Sequence, residues 1–461
     1  MNVFKFFNFF IFALIVSFAF GQANFSYALT EREIAEQEAK LQAEYDELQK
    51  DIQKWEGILS ETKKKANTIE GDITILNAKI KEAEATIKAK NIAINQLSKE
   101  IGNKTQTIED LETRIEKGRE SLAELIRKTD EIDTYSIAEI VLAGQDLSDF
   151  LGDLDSFASI KRSLKERFFE IREVKAATEE EKKQLDLKKN QEIDAKYVVE
   201  TRKQTVAKSE AEKKQLLTIT KQEEKAYQAV LAERQRKAAQ IRAALFNLRD
   251  TEGIPFGEAL EYANVAGQKA GIRPALILAI LTQESDLGKN QGSCLMTDST
   301  TGDGVGTNTG TFFEKVMKAP RDTAPFLAIT DRLGRNWKNT PVSCPPGYTW
   351  SPSRGYGGGM GPSQFIPSTW ELFKVRIAGM FNIFADQANP WDPQHAIMAT
   401  AIYLSDLGAV SGSFTSERNA ACRYYSGRSC DSKRPANSFY GDQVMTKVQG
   451  IQDNIDFLQS V

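Results

Sequence analysis

The stretch from Ile277 to Asn290, ILAILTQESDLGKN, sets one carboxylate into an apolar helical run. Ile277, Ile280 and Leu281 recur at helical spacing, and Glu284 takes the next position on their stripe, which aims its side chain at the interior. Pro274 fits the first turn of the helix and Gly288 ends it. Apolar neighbours and a nearby helix C-terminus both favour the protonated carboxyl. A carboxyl kept neutral is what a general acid acting on a sugar oxygen needs. Two plainer roles fit the same position: a core Glu satisfied by hydrogen bonds, and an exposed, frayed helix end.

Later segments add polar groups. In GGGMGPSQFIPSTW, Gly357 to Trp370, a flexible Gly run precedes Met360 and Gln364, which suits close approach of a polar ligand, or else a tight turn held by Gln364. Ser368 reads as an N-cap of the following helix. In NPWDPQHAIMATAIYLSDLGA, Asn389 to Ala409, Asp392 is a structural N-cap with Pro393 at the first helical position, and the sole His, His395, is a helix-surface residue with no catalytic partner. RYYSG places Tyr424 and Tyr425 before Gly427, as a wall for a sugar ring or as core packing.

Four cysteines, Cys294, Cys344, Cys422 and Cys430, all lie in the C-terminal region, and their even count fits two disulfides. Local pairing, Cys294–Cys344 and Cys422–Cys430, is preferred among the possible connectivities. Zinc is weaker, without a CxxC and with His395 elsewhere. Asp298, Asp303 and Asn308 hint at calcium but lack the EF-hand spacing and its terminal Glu, and the nearby glycines lack the GK[ST] ending of a phosphate loop. No metal and no cofactor is read. The insert from Gln291 to Gly355 is expected to be a disulfide-bounded loop over the groove.

These residues sit behind a region of different grammar. From about Thr30 to Arg249 the chain is rich in Glu, Lys, Gln and Ala and has no Pro. One heptad frame stays apolar through Tyr45, Ile52, Leu59, Ala66, Ile73, Ile80, Ile87, Ile94, Ile101, Ile108, Ile115 and Leu122. Its d positions are mixed, with Lys90, Lys104 and Gly118 out of pattern. Such a repeat predicts a left-handed coiled coil that needs a partner. The segment Glu131 to Ile160 is less charged and contains Gly144 and Gly152, and a second charged helical stretch runs from about Lys161 to Leu248. Helix, interruption and helix predict an antiparallel hairpin; a parallel homodimer of long helices is the other arrangement. The apolar tip is either a local cap or a docking site for a partner, with short amphipathic helices.

At the N-terminus, Lys5 precedes the apolar run Phe6 to Phe20, followed by small residues up to Ala28. That reads as a signal peptide, or as an uncleaved anchor, and predicts an extracytoplasmic protein. The net charge of -4 on 461 residues gives no polyanion-binding signature and no case for nucleic acid. The expected organisation is a signal peptide over 1–28, a coiled-coil hairpin over 29–249 with a tip insertion at 131–160, and a helical domain over 250–461. The fold class is mainly α.

Two resemblances sharpen this. The hairpin with its insertion SIAEIVLAGQDLSDFLGDLDSFASI resembles the N-terminal coiled coils of EnvC, PcsB and CwlO. That resemblance implies a cell-wall hydrolase or its activator, switched by an FtsEX-type membrane complex through residues 131–160. Glu284-Ser285 resembles the catalytic ES motif of lysozyme-like lytic transglycosylases. Met360 to Trp370 is similar to the MGxxQFMPSSY-type motif of the membrane-bound lytic transglycosylase B family, and Asn389 to Leu404 to that family's NLWDPxDAI segment. Tyr424 to Gly427 resembles the AYNAG motif of the soluble family, with Tyr425 where that family has Asn.

The resemblance implies a disulfide-stapled, lysozyme-like domain acting on peptidoglycan glycan strands. Glu284 would be the sole acid/base, with Ser285, Met360, Gln364, Tyr424 and Tyr425 at the substrate. The product would carry a 1,6-anhydromuramyl end. Two alternatives stand beside it. One is a non-enzymatic wall scaffold or activator. The other is muramidase-type hydrolysis, for which Asp286 is the only nearby acid, about 160° from Glu284 on a helix.

Overall fold

The computed structural model describes residues 43, 45–54, 56, 68–133, 147–218, 227–236, 239, 253–346, 355–430 and 436–459. The expected signal peptide over 1–28 and the centre of the tip, 134–146, lie outside the described residues. The chain is mainly helical. No helix among the described residues is long and apolar enough to cross a membrane.

Two long helices, α1 (Ile69–Asp133) and α2 (Leu147–Leu217), pack along one another. Ion pairs fix their sense: Glu82–Arg202, Glu100–Lys188, Lys104–Glu181 and Arg114–Glu170. Partners rise along α1 as they fall along α2, so the pair is antiparallel. Two of the out-of-pattern heptad residues have partners. Lys104 reaches Glu181 at 2.8 Å, and Gly118 leaves room for Ile171, whose Cγ1 would lie 2.9 Å from an added Cβ.

Two expectations about this arm are revised. The second helix begins at Leu147 rather than near Lys161, because Leu147, Phe150, Leu151 and Leu154 keep helical spacing and a lone interior Gly152 costs only about 1 kcal/mol. Nor is it continuous to Leu248: α2 ends at Leu217, and a separate helical stretch covers 227–236. There Tyr227 packs with Leu76 and Leu216, and Asp72 accepts from the Tyr227 hydroxyl (3.2 Å) and from Arg234 Nη1 (2.7 Å). Burial and the Asp72 charge push the Tyr227 hydroxyl up to about 12.

From Gly253 onward a helical domain forms around one core. Its helices are α3 (Phe256–Ala270), α4 (Pro274–Ser285), α5 (Thr323–Arg332), α6 (Pro367–Phe381), α7 (Pro393–Asp406), α8 (Phe414–Ser426) and α9 (Ser438–Gln459). The central one is α4. Its sequence ALILAIL is apolar all round, and every residue from Ala275 to Leu281 is 0% exposed. Helices α3, α7 and α9 pack against it. Pro274 takes the first helical position and Asp286 closes the helix in the left-handed conformation.

The insert after Gln291 is more ordered than a loop. It holds a three-stranded antiparallel meander, β1 (Cys294–Met296), β2 (Gly304–Gly306) and β3 (Phe312–Phe313), followed by α5. Strands of two or three residues are too short to show alternation in a sequence. Cys294–Cys344 closes this insert, and Cys422–Cys430 joins the middle of α8 to the segment before α9. Both pairings are the expected local ones. Two disulfides fit an oxidising, extracytoplasmic setting.

Candidate active site

Glu284 lies in the last turn of α4, where the buried helix reaches the surface. Its carboxyl is closely surrounded by protein, while the residue as a whole is partly exposed. Burial pushes its pKa up from 4.5 to about 7, and a hydrogen bond from Tyr440 pulls the other way. Among the described residues, no other acid contributes to that shift. Asp286 has left the helix, with φ 51° and a side chain 59% exposed beside Lys289.

Tyr440, 4% exposed in the first turn of α9, donates its hydroxyl to Oε1 of Glu284. Its placement follows from Gly441: an added Cβ there would sit 2.5 Å from Sγ of Cys422 and 2.8 Å from Sγ of Cys430. The start of α9 is thus pressed onto the disulfide. Tyr425 stacks on Tyr440 (4.9 Å between centroids, 17° between planes) and remains 49% exposed. Tyr424, from the same turn of α8, donates to the carbonyl of Ser363 at 2.7 Å. Burial and the Glu284 charge hold both Tyr424 and Tyr440 well above the ordinary tyrosine range.

The loop Met360–Phe365 forms the opposite side. Ser285 Oγ donates to the carbonyl of Pro362 (2.6 Å) and accepts from the amide of Gly288 (2.8 Å). Ser363 Oγ donates to the carbonyl of Ala396 on α7 (2.8 Å). Gly361, at φ 62°, lies so close to Pro390 that an added Cβ would meet its carbonyl oxygen at 2.0 Å. The loop is therefore strung between α4 and the segment that opens α7. The ES, MGPSQF, NPWDP and YYSG segments all meet here.

Their side chains divide unequally. Tyr424 senses the Glu284 charge, and Tyr425 reaches the site through its stack on Tyr440. Ser285 is 2% exposed and its hydroxyl is engaged by the loop, so it acts as a tie between α4 and Pro362. Met360 is 0% exposed and packs in the core, while its amide donates to the carbonyl of Phe365 (2.9 Å). Gln364 sits at φ 52° with Nε2 donating to the carbonyl of Gly361 (2.8 Å). Tyr440 escaped sequence reading. The only local signal is the pair Phe439-Tyr440 before Gly441, the same aromatics-before-glycine pattern as RYYSG.

Other motif residues are structural. Asp392 caps α7 by accepting from the His395 amide (3.0 Å). His395 is half-buried against Phe381, and burial lowers its pKa; its Nδ1 accepts from the Asn389 amide (3.2 Å). It is thus not a surface residue. Ser368 is not an N-cap, because Pro367 already occupies the first turn and Ile366 the cap; its amide and hydroxyl donate to Asp322 instead. Asp298 accepts from the amide of Thr300 and Asp303 from that of Lys315, so both carboxylates order backbone in the insert. A cavity of about 410 Å³ lined by Leu327, Ala328, Thr330, Asp331, Arg335 and Trp337 shares no residue with the Glu284 cluster. Its one acid is exposed.

Compared with protein-family models, curated proteins and solved structures, the chain matches none.

Proposed function

We propose that this protein is an exported peptidoglycan lytic transglycosylase carried on a coiled-coil arm. Its helical domain is read as lysozyme-like. The observation that carries this is Glu284, an enclosed carboxyl with a pKa of about 7, on which no second acid acts among the described residues. Protonated, Glu284 would give its proton to the glycosidic oxygen as the bond from muramyl C1 to that oxygen breaks. Ionised, it would take the proton of the muramyl 6-hydroxyl as that oxygen bonds to C1. The proton returns to Glu284, no water enters, and the product is a 1,6-anhydromuramyl end. A two-carboxylate glycosidase would instead need a second acid roughly 5–10 Å away.

The aromatic wall of Tyr425 over Tyr440 suits a pyranose ring, and Gln364 of the Met360–Phe365 loop is read as a further polar contact. The arm is read as the part that sets where and when cutting occurs, with residues 131–160 engaging an FtsEX-type membrane complex. The disulfides support action outside the cytoplasm.

The test is release of soluble glycan from purified peptidoglycan by the full chain and by Glu284→Gln. Release by the wild type alone, with both proteins sedimenting with the glycan, is the expected result. Equal release by both would remove Glu284 from the chemistry, and release by neither would favour a wall-binding scaffold.

A further inference from the structure

The arm touches the domain away from Glu284, at the first turn of α8 and the middle of α9, the two helices that carry the site tyrosines. Asp194 of α2 accepts from the amide of Thr415 (2.7 Å) and from its hydroxyl (2.9 Å). That places a carboxylate from the arm on the first turn of α8, where free amides and the helix dipole favour negative charge. Tyr197 stacks on Phe414 (4.3 Å between centroids, 22° between planes) and donates its hydroxyl to Gln449 Oε1 of α9 at 2.7 Å. Gln449 Nε2 in turn donates to Asp453 (2.7 Å), which pairs with Lys208 of the arm (2.9 Å).

This face of α2 is distinct from the one that makes the hairpin. Ala195 and Val199 are buried, and Arg202 reaches Glu82 of α1. At about 100° per residue, Asp194, Tyr197 and Lys208 share a stripe roughly 150° away from those three. One helix thus carries two interfaces, one to α1 and one to the domain.

Both gripped helices lead to Glu284. From Thr415, α8 runs to Tyr424 and Tyr425. From Gln449, α9 runs back to Tyr440. A third tie lies beside the clasp: Glu417 of α8, 0% exposed, accepts two hydrogen bonds from Arg273, the residue that opens α4. The arm therefore holds the first turn of α8 and the middle of α9, whose last and first turns respectively carry the tyrosines at the carboxyl.

We propose that Asp194 and Tyr197 are positioning residues for the Glu284 site, acting across the domain boundary through α8 and α9. The proposal rests on the functional reading only for its activity readout. The clasp is a strut that keeps the tyrosine enclosure closed. Releasing it opens the enclosure and readmits water to Glu284. Tyr440 of α9 donates to that carboxyl and Tyr424 of α8 senses its charge; Tyr425 of α8 stacks on Tyr440, Tyr403 of α7 lies against Tyr424, Asp286 just past α4 is exposed, and the Met360–Phe365 loop carries no titratable side chain. Loss of burial is therefore the dominant change when α8 and α9 loosen.

The experiment compares the full chain with Asp194→Ala/Tyr197→Ala and, from the domain side, with Thr415→Val. Glu284 is titrated through its carboxyl carbon signal in labelled protein, assigned by difference from Glu284→Gln. Amide hydrogen exchange follows α8 and α9. The expected result is a Glu284 midpoint lowered by on the order of 0.5 unit or more, faster exchange in α8 and α9, and glycan release reduced about tenfold at neutral pH. Thr415→Val, which leaves the arm intact, is expected to move the midpoint the same way. An unchanged midpoint and unchanged exchange, or a rise in glycan release on freeing the arm, would overturn the proposal. If the wild type cuts no glycan, the functional reading fails while the titration still decides the clasp.

Discussion

The hydroxyl of Tyr440 donates to Oε1 of Glu284 from 156 residues further along the chain. The bond stabilises the ionised carboxylate, while burial stabilises the acid, and burial is the larger effect. The carboxyl therefore sits near neutrality, where it can both give and take a proton.

Tyr440→Phe removes the bond and keeps the ring under Tyr425. The Glu284 midpoint is expected to rise above about 7, by up to about one unit, because the contribution that favours the ionised form is gone. The alkaline limb of the pH–rate profile on peptidoglycan should move up with it. Releasing the Asp194–Tyr197 clasp should move it down, so the two variants are told apart by sign.

Glu284 was legible because a carboxylate on an all-apolar stripe has few places to go, and the ALILAIL run dictates a central helix. The hairpin was legible from its heptads and from the break after Asp130. Tyr440 was not, because only the disulfide under Gly441 and the packing of α9 on α4 bring it to the site. Met360 and Ser285 show the opposite limit. Their motif spacing put them at the right loop, but side-chain direction, core-ward for Met360 and toward Pro362 for Ser285, is set by tertiary packing. The clasp left no mark either: Asp194 and Tyr197 look like ordinary positions of a solvated coiled-coil face.

Stability should carry the signature of the buried acid. The Glu284 pKa is raised from 4.5 to about 7 on folding, so the unfolded chain releases this proton first. The contribution is whole below about pH 4.5 and is lost as pH rises through about 7. It amounts to at most about 3 kcal/mol, since the carboxyl is not fully sealed. Denaturant titrations across this range should show the wild type losing stability relative to Glu284→Gln. Parallel curves would mean the carboxyl is not held in a low-dielectric site.

Gly361→Ala tests the seat of the loop. At φ 62° with the Pro390 carbonyl oxygen 2.0 Å from the new methyl, the backbone must move. A loss of about 2–4 kcal/mol in unfolding free energy is expected, with glycan release falling as Gln364 is displaced. Unchanged thermal unfolding would show that the loop seats otherwise.

The two disulfides should differ in weight. Cys294–Cys344 spans a separation of 50 residues and Cys422–Cys430 only 8. Loop-closure entropy assigns them about 4 and about 2.5 kcal/mol. Yet the shorter one backs Gly441, so replacing Cys422 and Cys430 by Ser is expected to impair activity more than its stability cost implies. Calorimetry and glycan release on each double variant check both halves of the statement.

The most direct measurement is the mass of the glycan ends released by the full chain from purified peptidoglycan, made in water labelled with heavy oxygen. A single enclosed carboxylate predicts 1,6-anhydromuramyl ends that carry no solvent oxygen and are absent with Glu284→Gln. Reducing muramyl ends that carry the label would contradict it and make the enzyme a hydrolase.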